Sequence, residues 1–317
     1  MSSQHAPDSA LARDAESADD ESPPCVMSFN ANDASGSGGV AADVTAIASV
    51  GAHALPVVTG VWIRDTAEVT NHVAIDEEAV EDQARAVLED VPVRVFKVGF
   101  AGSPENLATI AEITSDYAEA PVVAWMPNLS WWDEDRIDAY HDAFRELMLP
   151  QTTVLVGNHS TLWRWLLPDW SDDRAPSPRD IAAAAAEAGT PYTLVTGISH
   201  SDSMIENALA TPQQVLHVQR VERTEAVFGG AGDTLSATLA ALIASGTDLA
   251  GATDEALGYL DRCLDAGFQP GMGFAIPDRL FWAQPTGDES DDDAPAGVDD
   301  DNQALGAFNL PAHDTKH

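Results

Sequence analysis

Short runs of β-branched and apolar residues alternate with helical patterns along most of this chain of 317 residues. Strands that alternate with helices form a parallel sheet with crossover helices on both faces. The pattern therefore predicts an α/β fold with a single doubly wound, mostly parallel sheet. The predicted strands cover residues 26–29, 56–61, 93–98, 122–125, 153–156, 193–196 and 215–218, and the predicted helices cover residues 39–50, 77–88, 105–117, 133–147, 178–188, 234–245 and 254–266.

The two ends of the chain differ in composition from the middle. Residues 1–24 are rich in Ser, Ala, Asp and Glu and lack helix or strand signals. Residues 285–317 contain Asp-rich runs such as Asp291–Asp293. Segments of this kind bury too little apolar surface to fold alone. We therefore expect a disordered acidic lead over 1–24, one folded domain over 25–284 and a disordered acidic tail over 285–317.

The formal net charge of −37 limits the partners of this chain. Nucleic-acid backbones and anionic membranes both require a basic surface, so we expect neither as a partner. High ionic strength would screen the self-repulsion of so acidic a surface, which makes salt adaptation a hypothesis. Lys97 and Lys316 are the only lysines, so arginine supplies nearly all of the positive charge.

The cysteine and hydropathy patterns favour a reducing compartment. Cys25 and Cys263 lie far apart and match neither a disulfide framework nor a zinc-binding pattern. No apolar run reaches the ~20 residues that a membrane-spanning helix needs, and the first residues are acidic rather than basic and then apolar. We expect a cytoplasmic protein, and the sequence predicts no residue as a metal ligand.

The run Phe228–Ser236, which reads FGGAGDTLS, opens directly into a predicted helix. Amide groups at a helix start favour an anion, and glycines let a phosphate approach the backbone closely. Asp233 stands where a carboxylate could accept the proton of an attacking hydroxyl. The run therefore predicts a phosphoryl-transfer site, with Asp233 as general base and Gly230, Ala231 and Gly232 in an anion hole with it. Ordinary helix capping by an aspartate is the alternative.

A second glycine-rich run, Asn30–Asp43, follows a predicted strand and precedes a predicted helix. The spacing Gly36-x-Gly38-x-x-Ala41 fits a relaxed dinucleotide-binding fingerprint, so a nicotinamide enzyme is an alternative. Against it, Asp65 comes later than the acid expected about 20 residues on, and the later glycine run would have no role. Neither run contains the Gly-Lys-Ser/Thr of a Walker-type loop. A kinase mechanism would therefore need an anion hole at a helix start.

Four stretches match one known family in the same order. The early run follows its Ser-Asp-Pro-Ser-Gly-Gly-Ala-Gly-Ile-Gln-Ala-Asp pattern, and residues 50–60 echo its Leu-Gly…Val-Ile-Thr-Ala stretch. Residues 97–103 echo Lys-Ile-Gly-Met-Leu-Gly-Ser, and residues 230–236 echo Gly-Thr-Gly-Cys/Asp-Thr-Leu-Ser. Over about residues 25–282 the chain resembles the hydroxymethylpyrimidine and phosphomethylpyrimidine kinases of thiamine biosynthesis, which belong to the ribokinase-like superfamily.

The resemblance implies a ribokinase-like fold and ATP-dependent phosphorylation of hydroxymethylpyrimidine and its monophosphate. It also implies ATP and Mg²⁺ as cofactors, a small heterocyclic alcohol as substrate and a homodimer. By the same resemblance, the substrate-binding residues are Asn30, Asn32, Asp33, Gly36, Asp43 and Arg64, and the nucleotide-binding residues are Asn158, Thr196, Gly197 and Thr234.

Several positions depart from the family pattern. Arg64 stands where the pyrimidine kinases have a Gln that binds the heterocycle, and Asp233 stands where they often have Cys. Asn158 is kept from an Asn-x-x-Glu motif, but Thr161 replaces its carboxylate, and Met126 replaces the acid of an Asp-Pro pair. A pyridoxal-type kinase and a degenerate, non-catalytic relative that binds the heterocycle therefore stay open as alternatives.

Lys97 and the tryptophans of the middle region are further candidates. Lys97 follows a predicted strand, where it either serves the site or pairs with a nearby acid. The tryptophans favour core packing or a dimer contact, with a stacking platform for a flat heterocycle or adenine as the alternative. They are Trp125, Trp131, Trp132, Trp163, Trp165 and Trp170.

Overall fold

The structure is a computed structural model and describes residues 22–283. The predicted tail lies outside the described residues, as does nearly all of the predicted lead, and the domain bounds stay a prediction. The strands are β1 (Cys25–Asp33), β2 (His53–Arg64), β3 (Val69–Ala74), β4 (Val93–Val98), β5 (Val122–Met126), β6 (Val154–Asn158), β7 (Tyr192–Ser199), β8 (Met204–Ala210) and β9 (Val215–Glu222).

All of these strands form a single sheet in the order β3-β2-β1-β4-β5-β6-β7-β8-β9. The strands from β2 to β7 in this order pair in parallel. β3 pairs antiparallel with β2 at one edge, and β8 and β9 continue the other edge in antiparallel fashion. The expected mostly parallel sheet is confirmed.

Helices cover both faces of the sheet, as the sequence predicts. Successive residues of a strand point to opposite faces, so Val95 joins the core under α1, α7 and α8 while Phe96 joins the core under α2–α6. The helices are α1 (Gly39–Ser49), α2 (Glu77–Leu88), α3 (Pro104–Asp116), α4 (Glu134–Ala143), α5 (His159–Leu166), α6 (Pro178–Glu187), α7 (Ala231–Ala244) and α8 (Leu249–Asp265).

Helix starts follow the capping signals in the sequence. The Ser103 side chain accepts the amide hydrogen of Asn106, and Pro104 occupies the first position of α3. Ser177 and Asp180 form a reciprocal capping box at the start of α6. These caps fix the two helices within one residue of their predicted starts.

The sequence pattern misses β3, β8 and α5. β3 follows a tight turn in which the Asp65 carboxylate accepts the amide hydrogens of Ala67 and Glu68, and its side chains are mostly exposed. A strand at the sheet edge needs no buried apolar run, which removes the signal used for prediction. The predicted helix over 133–147 ends as an α-helix at Ala143 and continues as a π-helical turn over Phe144–Met148.

The carboxyl ends of the parallel strands share one edge of the sheet, where ligands bind in open α/β folds. β1 ends at this edge with Asp33, β4 with Val98 and β6 with Asn158. The starts of α1 and α7 lie beside the end of β1, and this brings both glycine-rich runs to the same edge. Within residues 22–283, no helix is long and apolar enough to cross a membrane.

Candidate active site

The two glycine-rich runs meet at the starts of α1 and α7. The amide of Gly39, the first residue of α1, donates to Oδ2 of Asp233 at 2.9 Å. Gly39 has a φ of +65°, and a Cβ there would collide with the carbonyl oxygen of Ala31. A Cβ on Gly38 would stand 2.7 Å from Oδ2 of Asp233. Glycine at these two positions therefore lets the early run close over the aspartate.

Asp233 is almost fully enclosed, with 4% of its surface exposed. Its Oδ1 accepts hydrogen bonds from Asn30 Nδ2 at 2.7 Å and from Lys97 Nζ at 2.9 Å. Its Oδ2 accepts from the Gly39 amide. A carboxylate has about four lone-pair positions, so among the described residues one acceptor position is left, on Oδ2 beside Gly38.

Asn30 orients this carboxylate. Its Oδ1 accepts the amide hydrogens of Ala31 at 2.9 Å and Phe100 at 3.1 Å, so its amide nitrogen must face the acids. That nitrogen donates to both Asp43 and Asp233. The predicted residues Asn30, Asp43 and Asp233 therefore lie in one hydrogen-bonded group.

Lys97 is the centre of this group and is fully buried. Its Nζ lies 2.8 and 2.9 Å from the two oxygens of Asp43 and 2.9 Å from Oδ1 of Asp233. Asp43 also accepts a hydrogen bond from Ser28 at 2.6 Å. We call Ser28, Asn30, Asp43, Lys97 and Asp233 the charged cluster.

The charges in this cluster shift one another's ionisation. Burial raises the pKa of Asp43 to about 6, and the charge of Asp233 adds to the rise while Lys97 opposes it. Burial alone would lower the pKa of Lys97, but the charges of Asp233 and Asp43 raise it above its ordinary value. Lys97 therefore stays a cation, and the pKa of Asp43 lies closer to neutral pH than that of an ordinary aspartate.

The start of α7 presents free amide groups. Thr234 N is the first amide of α7 that bonds back to the preceding turn, to Gly230 O at 3.0 Å. Among residues 22–283, the amides of Ala231, Gly232 and Asp233 have no acceptor. The helix dipole adds partial positive charge here, so this turn suits an anion.

Arg279 ties the two glycine-rich runs together, and the sequence analysis missed it. Its Nε donates to Thr234 Oγ1 at 2.9 Å, Nη1 to Gly36 O at 3.3 Å and Nη2 to Ser37 O. Its residue surface is 6% exposed, and burial lowers the pKa of its guanidinium. No sequence motif marks it, because its partners lie far away in the chain.

The predicted substrate residues do not all face the same space. The Asp33 carboxylate accepts the amide hydrogens of Ser35 and Gly38 at 2.9 Å each, so it shapes the loop as turn chemistry also predicts. Arg64 Nη1 lies 3.5 Å from Asp33 Oδ2. Asn32 is exposed and is not part of the charged cluster.

A cavity of about 650 Å³ lies beside the start of α7. Trp125 lines it and packs against Gly232, where no Cβ would fit, and Lys97 Nζ lies 5.8 Å from the Trp125 ring centre. Trp132, by contrast, packs among Phe100 and Tyr140. Trp132 therefore serves packing, and a stacking role for Trp125 stays a prediction. The aromatic and charged residues of the lining are Trp62, Arg64, Glu68, Trp125, Trp131, Phe228 and Phe274.

The predicted nucleotide residues fall into two places. Asn158 and Thr196 are register partners on β6 and β7, and Gly197 follows Thr196. The Asn158 side chain is exposed and accepts the amide hydrogen of Ser160, so it caps α5. Thr234 lies in the first turn of α7 instead, where its hydroxyl donates to Gly230 O and accepts from Arg279.

Magnesium is implied by the resemblance, but the described residues do not fit a protein-held magnesium site. They contain no group of three or more His, Cys, Asp or Glu that could hold a metal ion. The side-chain oxygen of Asn158 already accepts two hydrogen bonds from Ser160. Thr161 supplies no carboxylate at the position where the family motif has one.

Comparison with known proteins identifies the family. Residues 33–278 match the model of the family described as phosphomethylpyrimidine kinase. This match covers the later glycine-rich run, all but the first three residues of the early run, and Asp43, Lys97 and Asp233 of the charged cluster. The chain belongs to the phosphomethylpyrimidine kinase family. The family and its relatives are small-molecule kinases, so the expected enzyme class is confirmed.

Curated relatives cover nearly the same span. The hydroxymethylpyrimidine/phosphomethylpyrimidine kinase of Mycobacterium tuberculosis is 28% identical over 270 residues, which cover 82% of this chain and 94% of the relative. The kinase of the same description from Streptomyces coelicolor is 27% identical over 263 residues, which cover 82% of this chain and 96% of the relative.

Solved structures share the fold at low sequence identity. The pyridoxal kinase from Staphylococcus aureus in complex with AMP-PCP and pyridoxal has a TM-score of 0.73 at 15% identity, over 83% of this chain and 96% of that one. A phosphomethylpyrimidine kinase from Clostridium difficile has a TM-score of 0.62 at 18% identity, over 76% of this chain and 99% of that one. These likenesses confirm the expected fold.

Proposed function

We propose that this protein transfers the γ-phosphoryl group of ATP to the hydroxymethyl group of hydroxymethylpyrimidine and of its monophosphate, in thiamine biosynthesis. Membership of the phosphomethylpyrimidine kinase family and the names of the curated relatives support the substrate. The neighbours that were solved with AMP-PCP and ADP support ATP as the donor.

One observation carries the proposal. Asp233 keeps a single acceptor position open on Oδ2, in the same helical turn as three amides that have no acceptor among the described residues. A base for a hydroxyl and a cradle for a phosphoryl group thus lie within one turn of α7. Helix capping alone does not explain this arrangement, because the Asp233 side chain bonds to β1, β4 and α1 rather than to its own helix.

The reaction uses these groups in a single displacement. The substrate hydroxyl donates its proton to Oδ2 of Asp233 while its oxygen bonds to the γ-phosphorus. The bond between that phosphorus and the β–γ bridging oxygen breaks, and ADP leaves with the electron pair. The amides of Ala231, Gly232 and Asp233 stabilise the charge on the transferring group.

The cavity beside the start of α7 supports binding of a flat substrate. The cavity of about 650 Å³ is lined by aromatic rings, including Trp62 and Trp125, against which a heterocycle can stack. Arg279 holds the early run against α7, so the two sides of the site are fixed before ligands arrive. Such preorganisation favours transfer to a bound alcohol over transfer to water.

A pyridoxal-type kinase is the second candidate. Asp233 and Arg64 both depart from the pyrimidine-kinase pattern, and Arg64 lines the cavity while it lies 3.5 Å from Asp33. A guanidinium cannot accept a hydrogen bond, so it cannot replace all contacts of the Gln that the pyrimidine kinases have there. The two substrates must therefore be compared directly.

The test measures ATP consumption with hydroxymethylpyrimidine and with pyridoxal, at low and at high salt. We expect turnover with hydroxymethylpyrimidine and a fall in kcat of about 10²- to 10⁴-fold in Asp233→Asn, which removes the base. Asp265→Asn, an exposed Asp at the end of α8, is the matched control and should retain full activity. Turnover only with pyridoxal would support the second candidate.

Absence of turnover with both alcohols would overturn the kinase proposal. Heterocycle binding by calorimetry in that case would favour a non-catalytic relative. We also propose a cytoplasmic homodimer that takes ATP as its magnesium complex. A monomer mass in light scattering would contradict the dimer, and unchanged activity after magnesium removal would contradict the magnesium requirement.

A further inference from the structure

Lys97 occupies a position where a cation is hard to explain by packing alone. It lies on β4, between β1 and β5, and its side chain is fully buried. Ser28 is its register partner on β1. A hydrophobic side chain would suit this position better, because a buried charge costs several kcal/mol unless it is well paired.

The three contacts of Lys97 match the geometry of an ammonium group. Its three N–H bonds point in tetrahedral directions, and its Nζ contacts both oxygens of Asp43 and Oδ1 of Asp233. A planar guanidinium suits a single carboxylate instead. Arginine provides nearly all positive charge in this chain, yet lysine stands where two carboxylates from two helices must be bridged.

The bridge fixes which oxygen of Asp233 is open. Lys97 and Asn30 both donate to Oδ1, so the carboxylate cannot turn without loss of two hydrogen bonds. Oδ2 therefore stays at Gly38 and Gly39, where its last acceptor position lies. Asp43 fixes the ammonium in turn, through two contacts of 2.8 and 2.9 Å.

The charge balance of the cluster changes when a proton arrives. Two carboxylates face one ammonium, and Arg279 is the next cation that acts on both acids. A proton on Oδ2 of Asp233 would leave one carboxylate, Asp43, opposite one ammonium, Lys97.

We propose that Lys97 is a positioning residue for phosphoryl transfer: held by Asp43, it fixes Oδ1 of Asp233 so that Oδ2 alone receives the substrate proton. This inference rests on the proposed kinase function. It assigns Asp43 to the support of Lys97, whereas the resemblance assigns Asp43 to substrate binding. Lys97 itself does not touch the substrate.

The decisive variant is the double substitution Lys97→Met/Asp43→Asn. It removes one positive and one negative charge together, so the net charge of the cluster is unchanged, and Asp233 keeps its hydrogen bonds from Asn30 and Gly39. If the pair only stabilises the fold, the kcat of the double variant should stay within about threefold of the wild-type value. If Lys97 positions Asp233, kcat should fall about 10- to 100-fold while KM for both substrates stays within about threefold.

Arg85→Met/Asp116→Asn is the matched control. It removes a pair with an N–O distance of 3.0 Å between α2 and α3, both side chains being well exposed, and should leave kcat and KM unchanged. Asp43→Asn alone is the second variant in case the double variant does not fold. It leaves a balanced Lys97–Asp233 pair, and kcat should still fall about tenfold at unchanged KM. Full kcat in either folded variant would overturn the proposal.

A spectroscopic readout separates this inference from the kinase proposal. Infrared difference spectra between each protein and its Asp233→Asn counterpart isolate the carboxylate bands of Asp233. We expect these bands to shift when Lys97 is removed, because the carboxylate loses a charged donor on one oxygen. An unchanged spectrum would overturn the positioning role. If the wild-type protein turns over neither alcohol, the proposed function fails, and the infrared result still decides the contact.

Discussion

Two corners of the same sheet edge are built in opposite ways. At the corner between β1, β4 and α7, the polar groups of the charged cluster are buried and bonded to one another. At the corner between β6 and β7, Asn158 is exposed and caps α5, and the Thr196 hydroxyl donates to Gly157 O at 3.4 Å. The first corner is fixed before ligands bind, and the second leaves its groups near solvent. We call the first the closed corner and the second the open corner.

The difference shows how strictly each corner constrains sequence. A buried ion or carbonyl that loses its partner costs several kcal/mol, so residues of the first corner depend on one another. An exposed amide can exchange a protein partner for water at little cost. The departure from the family pattern at Thr161 lies in α5, next to the open corner, whereas Asp33 and Asp43 keep the pattern at the closed one.

The largest expected effect comes from closing the space under the early run. Gly39→Ala should lose about 3–5 kcal/mol of unfolding free energy, because its φ is +65° and its Cβ would collide with Ala31 O. Gly36→Ala is the matched control, since its φ is +71° but nothing lies within 4 Å of a Cβ. It should lose only about 1–2 kcal/mol. Equal losses in urea unfolding would contradict the view that this corner is closely packed.

Removal of Arg279 tests whether the closed corner is held from behind. Arg279→Met leaves Gly36 O, Ser37 O and Thr234 Oγ1 without their donor, which should cost about 2–4 kcal/mol. We also expect kcat to fall, because the early run and α7 are no longer joined. Arg220→Met, an exposed control at the β8–β9 edge, should stay within about 0.5 kcal/mol. An unchanged kcat in Arg279→Met would contradict the view that Arg279 holds the closed corner together.

The open corner should tolerate substitution better. Asn158→Ala removes the cap of α5 and should lose about 1 kcal/mol of unfolding free energy. If Asn158 also contacts nucleotide, KM for ATP should rise while kcat changes little. Ser177→Ala removes the cap of α6 and should cost a similar ~1 kcal/mol with no change in KM. If Asn158→Ala lowered kcat as much as Arg279→Met does, the two corners would not be independent of each other.

The smallest effect is a pH dependence confined to the closed corner. Asp43 has a pKa of about 6, raised from 3.8 chiefly by burial, and it faces Lys97, Asp233 and, more distantly, Arg279. As pH falls through about 6, Asp43 becomes neutral, and kcat should drop about twofold at that pH while KM for ATP stays constant. In Asp43→Asn this acidic limb of the kcat profile should disappear.

Protonation of Asp43 does not destabilise the folded protein, so unfolding through this group cannot account for the fall in kcat at low pH. A carboxyl with a raised pKa binds a proton more readily in the folded state than in the unfolded state. Its contribution to stability is therefore present at low pH and is lost as pH rises from about 3.8 to about 6. Circular dichroism along the same pH series should show the protein folded where kcat falls.

The parallel core and the two glycine-rich runs could be predicted from the sequence, because both leave local marks. Buried strands such as Val122–Met126 are continuous apolar runs, and glycines at 38 and 39 mark close backbone approach. Edge strands such as β3 leave weaker marks, since solvent covers much of their surface.

The support of Asp233 could not be foreseen in this detail. Lys97 was expected to pair with an acid or serve the site, but two acids from α1 and α7 share it. Arg279 left no signal, because its partners are carbonyls, which every residue has. The roles assigned to Asn158, Thr196, Gly197 and Thr234 stay predictions.

The contacts that close the site also decide when it can form during synthesis. Asn30 and Asp233 are 203 residues apart, and Gly36 and Arg279 are 243 apart. A ribosome releases β1 long before it releases α7, and domains complete their long-range contacts only after the last partner emerges. Lys97 and Asp43 both emerge before Asp233, so they can pair with each other first. Asp233 can join this pair only after α7 emerges, so the nascent chain acquires its proposed general base only in its last steps of folding.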